Sequence, residues 1–179
     1  MKRLLEFFFG WSQTRKLLIY SISTMNLSVV DKWPEFINGY RLYIYKPKLL
    51  NLNQYGDGLI VNLLWYLASM GRFSILVLLD NETVVHYSYI TPKVFRFSFM
   101  GKKDQQIGPC VTHADYRGKG IFTSVLRLIP AYFTKQCDYV WTYTTQDDIA
   151  AQKAFKKAGY MFYSFAEMSL RTKIVRLIS

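Results

Sequence analysis

Residues 112–123 read Thr112-His113-Ala114-Asp115-Tyr116-Arg117-Gly118-Lys119-Gly120-Ile121-Phe122-Thr123, and this is the most informative stretch of the sequence. It lies between a segment with strand character and a segment with helix character. At such a junction the first N–H groups of the helix lack partners, and the helix dipole favours an anion. Gly118 and Gly120 let the backbone approach a phosphate closely, and Arg117 and Lys119 add positive charge. These features predict a pyrophosphate-binding turn; the alternative is a solvated turn that contains Arg-Gly-Lys-Gly by chance.

Two common phosphate-binding loops do not fit this stretch. It lacks the Gly-Lys-Ser/Thr of a nucleoside-triphosphate loop, and it lacks the three-glycine dinucleotide fingerprint with its downstream acid. It closely resembles the cofactor loop of the GCN5-related N-acetyltransferase (GNAT) superfamily, whose pattern is Arg/Gln-x-x-Gly-x-Gly/Ala. Residues 117–122 occupy that pattern, and residues 112–116 are similar to the family's lead-in. Phe122 and Ala114 depart from the family's final small residue and its proline.

A second segment resembles the C-terminal motif of the same family. The matching positions are Asp148, Ala151, Ala154, Phe155, Lys156, Lys157, Gly159 and Tyr160. Phe155 stands where many members have a tyrosine that protonates the departing thiolate of coenzyme A, and phenylalanine has no proton to give. With the order of elements, the two motifs extend the resemblance over residues 73 to about 165.

The segments around the two motifs predict an α/β (α+β) fold with a mixed, mostly antiparallel central sheet and helices on both faces. The alternation of strands and helices predicts that helices cover both faces of the sheet. The resemblance implies the same acyltransferase fold. Gly108 and Pro109 make the strand at 106–112 irregular, and Pro130 is expected to kink its helix or to end its regular part. The predicted strands are 40–45, 73–79, 83–90, 106–112, 139–144 and 160–170, and the predicted helices are 58–70, 121–135 and 148–158.

Composition limits the class of protein. The 179 residues are 51% hydrophobic and 17% aromatic, and 23 Lys+Arg against 12 Asp+Glu give a net charge of +11. This excludes a disordered polycation and favours one domain over residues 1–179, with a core over 40–170. The excess charge suggests a phosphorylated ligand, nucleic acid or an anionic membrane surface. Cys110 and Cys137 are too few for a disulfide-dense scaffold or a four-cysteine zinc site, so we expect a reduced, cytoplasmic protein without metal.

Residues 1–22 are expected to form an amphipathic helix docked on the domain. The start resembles a signal sequence, but Glu6 interrupts the apolar run and no small-x-small cleavage site follows. Arg15 and Lys16 come too early for a spanning helix. A helix on a membrane surface is the alternative, because basic and aromatic residues would lie on different sides of it.

The resemblance implies acetyl-coenzyme A as the cosubstrate. It also implies that an irregular strand at residues 110–112 offers backbone groups to the pantetheine chain, while the turn at residues 117–123 holds the pyrophosphate. An N–H near Cys110 or Val111 would stabilise the oxyanion. The expected cofactor-binding residues are therefore Cys110, Val111, Thr112, Arg117, Gly118, Lys119, Gly120, Ile121, Phe122 and Thr123.

Catalytic candidates follow from the chemistry of acetyl transfer to an amine. A base is needed near physiological pH, and His86 and His113 are the two histidines; each has a structural alternative, and a water relay would need neither. Tyr143 and Tyr160 are the candidate acids. Cys110 opens a covalent route, although a lone cysteine in an apolar strand usually behaves as a small hydrophobe.

The acceptor is expected to be a small primary amine. The aromatic stretch from His86 to Phe99 carries Lys93 and Arg96, which suggests a nucleotide-linked amino sugar, with an ordinary solvated sheet edge as the alternative. A different class of function is a non-catalytic basic module that binds nucleic acid or an anionic membrane, but this leaves the paired motifs as coincidence. Nucleic acid is therefore not expected, peripheral membrane contact stays open, and so do a monomer and a homodimer.

Overall fold

The computed structural model describes residues 13–178, and this part of the chain forms one nine-stranded sheet with three helices. The strands are β1 (Thr14–Ser23), β2 (Phe36–Ile37), β3 (Tyr40–Tyr45), β4 (Ser74–Asp80), β5 (Thr83–Pro92), β6 (Gln105–Thr112), β7 (Tyr139–Thr145), β8 (Met161–Ser169) and β9 (Val175–Ile178). The helices are α1 (Leu59–Ser69), α2 (Ile121–Phe133) and α3 (Ile149–Ala158).

The spatial order of the strands is β2-β3-β4-β5-β6-β7-β1-β8-β9. β6 and β7 run parallel, while the other neighbours are antiparallel. The predicted mixed, mostly antiparallel sheet is therefore confirmed. The parallel pair is joined through α2, because parallel strands need a crossover connection.

The sheet is covered on both faces, as predicted. Alternate residues of β4 divide between two core clusters, since successive side chains of a strand point to opposite faces. Leu76 and Leu78 belong to the cluster that contains residues of α2 and α3. Ile75 and Val77 belong to the cluster that contains Trp65 of α1. We call these the α2–α3 face and the α1 face.

The helix predicted over residues 1–22 is wrong for its second half, and its first 12 residues lie outside the described part of the chain. Thr14–Ser23 forms strand β1, which pairs with β7 on one side and β8 on the other. Leu17, Leu18, Ile19 and Tyr20 are all buried. A strand in the middle of a covered sheet has an apolar run without alternation, which periodicity alone does not distinguish from a buried helix.

The core is also larger than the predicted 40–170. β1 contributes to both core clusters from the N-terminal side. At the other end, strand β9 lies beyond residue 170, pairs with β8 and buries Val175 completely. None of the helices in residues 13–178 is long and apolar enough to cross a bilayer.

Candidate functional site

A cleft of about 850 Å³ opens on the α2–α3 face beside the end of β6. It is lined by the end of β6, by the turn that leads into α2 and by one side of α3. We call it the α2–α3 cleft. The lining residues are Cys110, Val111, Thr112, Tyr116, Arg117, Gly118, Gly120, Ile121, Phe122, Thr123, Asp148, Ala150, Ala151, Lys153, Ala154, Lys156 and Lys157. The structure thus brings the two sequence motifs together at one cavity.

The turn before α2 depends on two glycines. Gly118 and Gly120 have φ values of 77° and 75°, in the left-handed region that side chains disfavour. No atom lies within 4 Å of a Cβ built at either position, so the requirement is conformational and not one of space. α2 starts after Gly120 with no side-chain cap and no acidic residue in its first turn. Its first N–H groups therefore face the cleft without a side-chain acceptor.

Cations surround this helix end. Arg117 donates from Nε to the carbonyl of Thr112 at 3.1 Å, which holds the start of the turn against β6. The Nζ of Lys119 lies 4.7 Å from the centre of the Tyr116 ring, and Lys119 does not line the cleft. α3 adds Lys153, Lys156 and Lys157 to the lining. Lys153 was not among the residues predicted from the sequence, although its spacing of three and four residues from the other two lysines indicates one helix side.

α3 is fixed at both ends by its own sequence. The Asp148 carboxylate accepts the N–H of Ala151 at 2.9 Å as an N-cap, and Gly159 ends the helix with a φ of 93°. Phe155 is 2% exposed, and its ring packs against Tyr20 and Phe122 at centroid distances of 5.1 Å and 5.9 Å. Phe155 is therefore a core residue, and the position carries no proton donor.

β6 and β7 separate beside the cleft. Their ladder consists of Gln105↔Val140 and Gln106↔Trp141, and no pair follows towards Thr112. The paired end is held by the buried Asp104, whose carboxylate accepts the indole N–H of Trp141 at 2.7 Å and the N–H of Tyr139 at 3.2 Å. The two strands are thus joined at one end and open at the other. This agrees with the predicted irregularity of β6, whose register with β5 shifts near Ser88.

His86 lies in β5, next to the cleft but not in its lining. Its ring is 1% exposed, and both nitrogens are hydrogen-bonded at 2.8 Å, Nδ1 with Thr112 Oγ1 and Nε2 with Ser88 Oγ. Burial lowers its pKa from 6.5 to about 4, so the imidazole is neutral at physiological pH. His86 is therefore a buried histidine with hydrogen bonds at both ring nitrogens, and the bond from Nδ1 positions Thr112.

The other catalytic candidates are not among the residues that line the cleft. His113 is a half-exposed residue whose Nδ1 lies 3.6 Å from the carboxylate of Asp115. Tyr143 packs on the α1 face, 5.8 Å from the Phe97 ring. Tyr160 is buried, its hydroxyl donates to the carbonyl of Leu126 at 3.3 Å, and burial raises its pKa well above the usual value. None of the three lines the α2–α3 cleft.

Cys110 lines the cleft as a protonated thiol. Burial raises its pKa to about 12, and the hydrogen bond with Ser88 offsets only part of that shift. Because the thiolate is the nucleophilic form, this environment favours a packing role for the side chain. Within residues 13–178, no group of three or more His, Cys, Asp or Glu side chains has the arrangement of a metal site.

Comparison with known proteins gives a family and a fold. The family model described as Acetyltransferase (GNAT) family matches residues 44–160, which is more than half of the chain. No curated protein matches the chain.

Solved structures share the fold at low identity. A GNAT-family acetyltransferase from Colwellia psychrerythraea is 16% identical with a TM-score of 0.58, over 87% of this chain and 55% of that protein. A tandem GNAT protein from the clavulanic acid biosynthesis pathway is 14% identical, with a TM-score of 0.52, over 90% and 55%. A conserved protein of unknown function from Staphylococcus epidermidis is 19% identical, with a TM-score of 0.52, over 92% and 65%. The chain spans less than two thirds of each of these structures.

Proposed function

The chain belongs to the acetyltransferase (GNAT) family, and from this premise we propose that it transfers an acetyl group from acetyl-coenzyme A to a primary amine. The observation that carries the proposal is the convergence of two separate sequence motifs on one cleft. The first supplies a glycine turn and a helix N-terminus, and the second supplies a helix side with three lysines. A fold-only relationship does not require that these segments meet at a cavity of cofactor size.

The residues of the cleft fit the chemistry of coenzyme A. Its pyrophosphate needs N–H donors and cations, which the first turn of α2 and Arg117 supply. Its remaining phosphate is met by the lysines of α3. Its pantetheine chain is an extended amide that pairs with strand backbone, and β6 is free of β7 beyond Gln106. The donors, the charges and the open strand edge therefore lie in the order in which the ligand presents its groups.

The reaction exchanges a thioester for an amide. The amine nitrogen, in its neutral form, attacks the thioester carbonyl carbon; the carbon–sulfur bond breaks, and the thiolate takes up a proton as free coenzyme A. The proton lost from the nitrogen passes to water. Positioning and stabilisation of the oxyanion are the contributions that the protein makes to such a transfer.

The N–H of Cys110 is the oxyanion donor. The N–H of His113 donates to the carbonyl of Val85 in β5 at 2.9 Å. Because N–H groups of alternate residues point to the same side of a strand, the N–H of Val111 also faces β5, and that of Cys110 faces the gap between β6 and β7. The thioester carbonyl in that gap would accept this N–H. Of the two donors expected from the sequence, this register favours Cys110 over Val111.

Catalytic roles for His86, His113 and Tyr143 stay predictions. The bonded, neutral ring of His86 supports a positioning role, since it has no free nitrogen to accept a proton from an amine. A water relay accounts for proton removal without it. Measuring turnover of His86→Gln against pH distinguishes the roles: loss of one ionisation from the profile supports catalysis, and an unchanged profile supports positioning.

The acceptor is a primary amine of small size, and a nucleotide-linked amino sugar stays a more specific prediction. Lys93 donates to the carbonyl of Met100 at 2.6 Å. Arg96 donates to the carbonyl of Lys173 at 3.0 Å and stacks over Trp65 at 5.3 Å. Both cations therefore hold the loop after β5, which weakens the case for a second phosphate site there.

Thermal stability with coenzyme A and acetyl-coenzyme A tests the proposal. A ligand that binds only the folded state raises the melting temperature, and a saturating ligand at 100 times its Kd adds about 2.7 kcal/mol. Gly120→Ala should reduce the ligand-dependent shift, because a side chain at a φ of 75° strains the turn. Gly39→Ala is the matched control, since Gly39 has a φ of 84° and does not line the cleft.

Release of free thiol in the presence of primary amines then measures turnover. Both glycine variants should lose similar stability, while Gly120→Ala alone should lose affinity for the cosubstrate. Absence of any shift with either ligand in the unmodified protein would contradict the acetyltransferase proposal. A shift without amine-dependent thiol release would contradict the choice of acceptor only.

A second candidate is contact with an anionic membrane surface, which one observation favours. α1 contains no charged residue, and its outer side exposes large apolar side chains, in a chain with a net charge of +11. The exposed side chains are Leu59, Ile60, Leu64, Leu67 and the following Met70. Co-sedimentation with vesicles containing phosphatidylserine, but not with neutral vesicles, would support it, and Leu64→Glu should then reduce the bound fraction.

A further inference from the structure

A carboxylate on the α1 face has a tyrosine as its partner. Asp57 lies two residues before α1, and its carboxylate accepts a hydrogen bond from the hydroxyl of Tyr87. Ion pairs in the described residues join His113 to Asp115 and Lys135 to Asp31. Within this part of a chain with 23 basic residues, Asp57 has no cation at ion-pair distance.

The Asp57–Tyr87 pair is one strand away from the α2–α3 cleft. Tyr87 is the direct partner of Val111 in the β5–β6 ladder, so both side chains are on the same face. Val111 lines the cleft and is 38% exposed. Because successive side chains of a strand point to opposite faces, those of Cys110 and Thr112 point to the α2–α3 face. A molecule bound against Tyr87 therefore reaches the open gap from the side opposite the cleft.

The loop that carries Asp57 is held rigidly. The hydroxyl of Tyr89 accepts the N–H of Asp57 at 2.8 Å and donates to Asn62 Oδ1 at 2.6 Å. The Asn62 amide, fully buried, donates to the carbonyls of Leu52 and Tyr55. At Gly56, with a φ of 88°, a Cβ would lie 2.3 Å from the Tyr89 hydroxyl oxygen. Such fixing of a short loop by buried polar groups preorganises the carboxylate at its end.

Two further tyrosine rings, those of Tyr43 and Tyr55, pack together on the α1 face. Tyr43 is 46% exposed, and its ring lies 5.8 Å from that of Tyr55, two residues before Asp57. Tyr43 and Tyr87 are both partners of Val77 in neighbouring ladders, so they share its face. A carboxylate next to tyrosine faces attracts an organic cation, because the charge is neutralised by the carboxylate and the apolar part packs on the rings.

We propose that Asp57 and Tyr87 bind the ammonium group of the acceptor, and that Tyr43 and Tyr55 contact the apolar part of a small arylalkyl amine. The inference rests on the proposed function, and it identifies the acceptor's class and its direction of approach. The amine binds on the α1 face and coenzyme A binds on the α2–α3 face. The bound ammonium group first loses one proton to water, which gives the neutral amine that attacks the thioester, and the two ligands meet at the gap between β6 and β7.

The probe amine is 2-phenylethylamine, and 2-phenylethanol is its uncharged counterpart. Thiol release from acetyl-coenzyme A gives KM for each substrate separately. Asp57→Asn, which keeps the shape and removes the charge, should raise KM for the amine about tenfold or more, and KM for acetyl-coenzyme A should stay within about twofold. Tyr87→Phe should raise the amine KM about threefold. The alcohol should not inhibit the unmodified protein at concentrations that saturate the amine.

Asp31→Asn is the matched control, because it removes the same charge from a surface ion pair outside the site. An Asp57→Asn variant that turns over the amine with unchanged KM would overturn the inference. It would also be overturned if the unmodified protein binds coenzyme A but neither binds nor acetylates 2-phenylethylamine. Failure to bind coenzyme A at all contradicts the proposed function instead, so the two failures are distinguishable.

Discussion

At the scale of single residues, His86 is the clearest case of a polar group used for structure. One of its hydrogen bonds joins β5 to Thr112 at the end of β6, and the other stays within β5 at Ser88. Its ring packs 6.0 Å from Phe122 at the start of α2. A buried imidazole that is neutral and bonded at both nitrogens holds one arrangement of its neighbours. We infer that it keeps Thr112, and hence the Arg117 contact to the Thr112 carbonyl, in position.

This role predicts a pH dependence of stability. The pKa of His86 is about 4 in the folded protein against 6.5 as the ordinary value, so the unfolded chain binds more protons between these limits. The stabilisation is complete above pH 6.5 and decreases as the pH falls towards 4, by about 3 kcal/mol in total. Urea unfolding from neutral pH to about pH 4.5 should show a weaker decrease for His86→Gln than for the unmodified protein.

His113→Gln is the control for this measurement. It removes the second histidine of the sequence from a half-exposed position, so an acid-induced decrease that weakens equally in both variants would not be assigned to the burial of His86. Parallel curves for His86→Gln and the unmodified protein would show that His86 is not responsible for the acid sensitivity.

A sequence reveals a site more readily when its residues are close along the chain than when they meet only through tertiary packing. Gly118, Gly120 and Arg117 act within a few residues of one turn, so their spacing along the chain already contained the geometry. Asp57 and Tyr87 meet through tertiary packing, 30 positions apart, and neither has a diagnostic neighbour. The same holds for His86, whose type suggested catalysis and whose burial only the folded structure reveals.

At the scale of elements, the strand β1 is the main difference between expectation and structure. Its basic and apolar residues fit the local pattern of an amphipathic helix. In the folded protein, however, the edges of β7 and β8 are both available to pair with this segment as a strand. Ladder hydrogen bonds on both sides and burial of four successive apolar residues outweigh local helix preference. Elements such as β4, β5, α2 and α3 were predictable because turn residues and periodicity agreed with the tertiary structure.

A core substitution in β1 should therefore be costly. Ile19 is 1% exposed at the centre of the strand, and Ile19→Ala should lower the free energy of unfolding by about 2–5 kcal/mol. Leu50→Ala, at a side chain that is 100% exposed, should change it by no more than about 0.5 kcal/mol. Chemical denaturation of both variants gives the comparison, and equal effects would contradict a central position of β1.

Over the whole molecule, the basic residues that give the net charge of +11 have different roles. Arg117, Lys153, Lys156 and Lys157 line the α2–α3 cleft, whereas Arg96 and Lys93 fasten a loop to backbone carbonyls. Lys135 pairs with Asp31 on the surface. Among these seven cations, the four that line the cleft are the ones placed to meet a phosphorylated ligand.

This distribution predicts salt-dependent binding of coenzyme A. Raising sodium chloride from about 0.05 M to about 0.5 M screens charges over distances above a few ångströms, so Kd should increase severalfold. The dependence should be weaker for dephospho-coenzyme A, which has one phosphate fewer, and for Lys153→Ala. Lys135→Ala, outside the cleft, should keep the full dependence. Calorimetric titrations at several salt concentrations measure it, and a salt-independent Kd would exclude a role for these cations.

The position of β1 also determines when the protein can fold during its synthesis. β1 leaves the ribosome before β2 to β6, yet both of its partners, β7 and β8, are made only after those strands and after α2. The sheet therefore closes only after β8 has been made, and contacts so distant in sequence make folding slow. Until then β1 is an apolar segment without a partner. A nascent chain of this kind depends on protection by chaperones more than one whose neighbouring strands are made in succession.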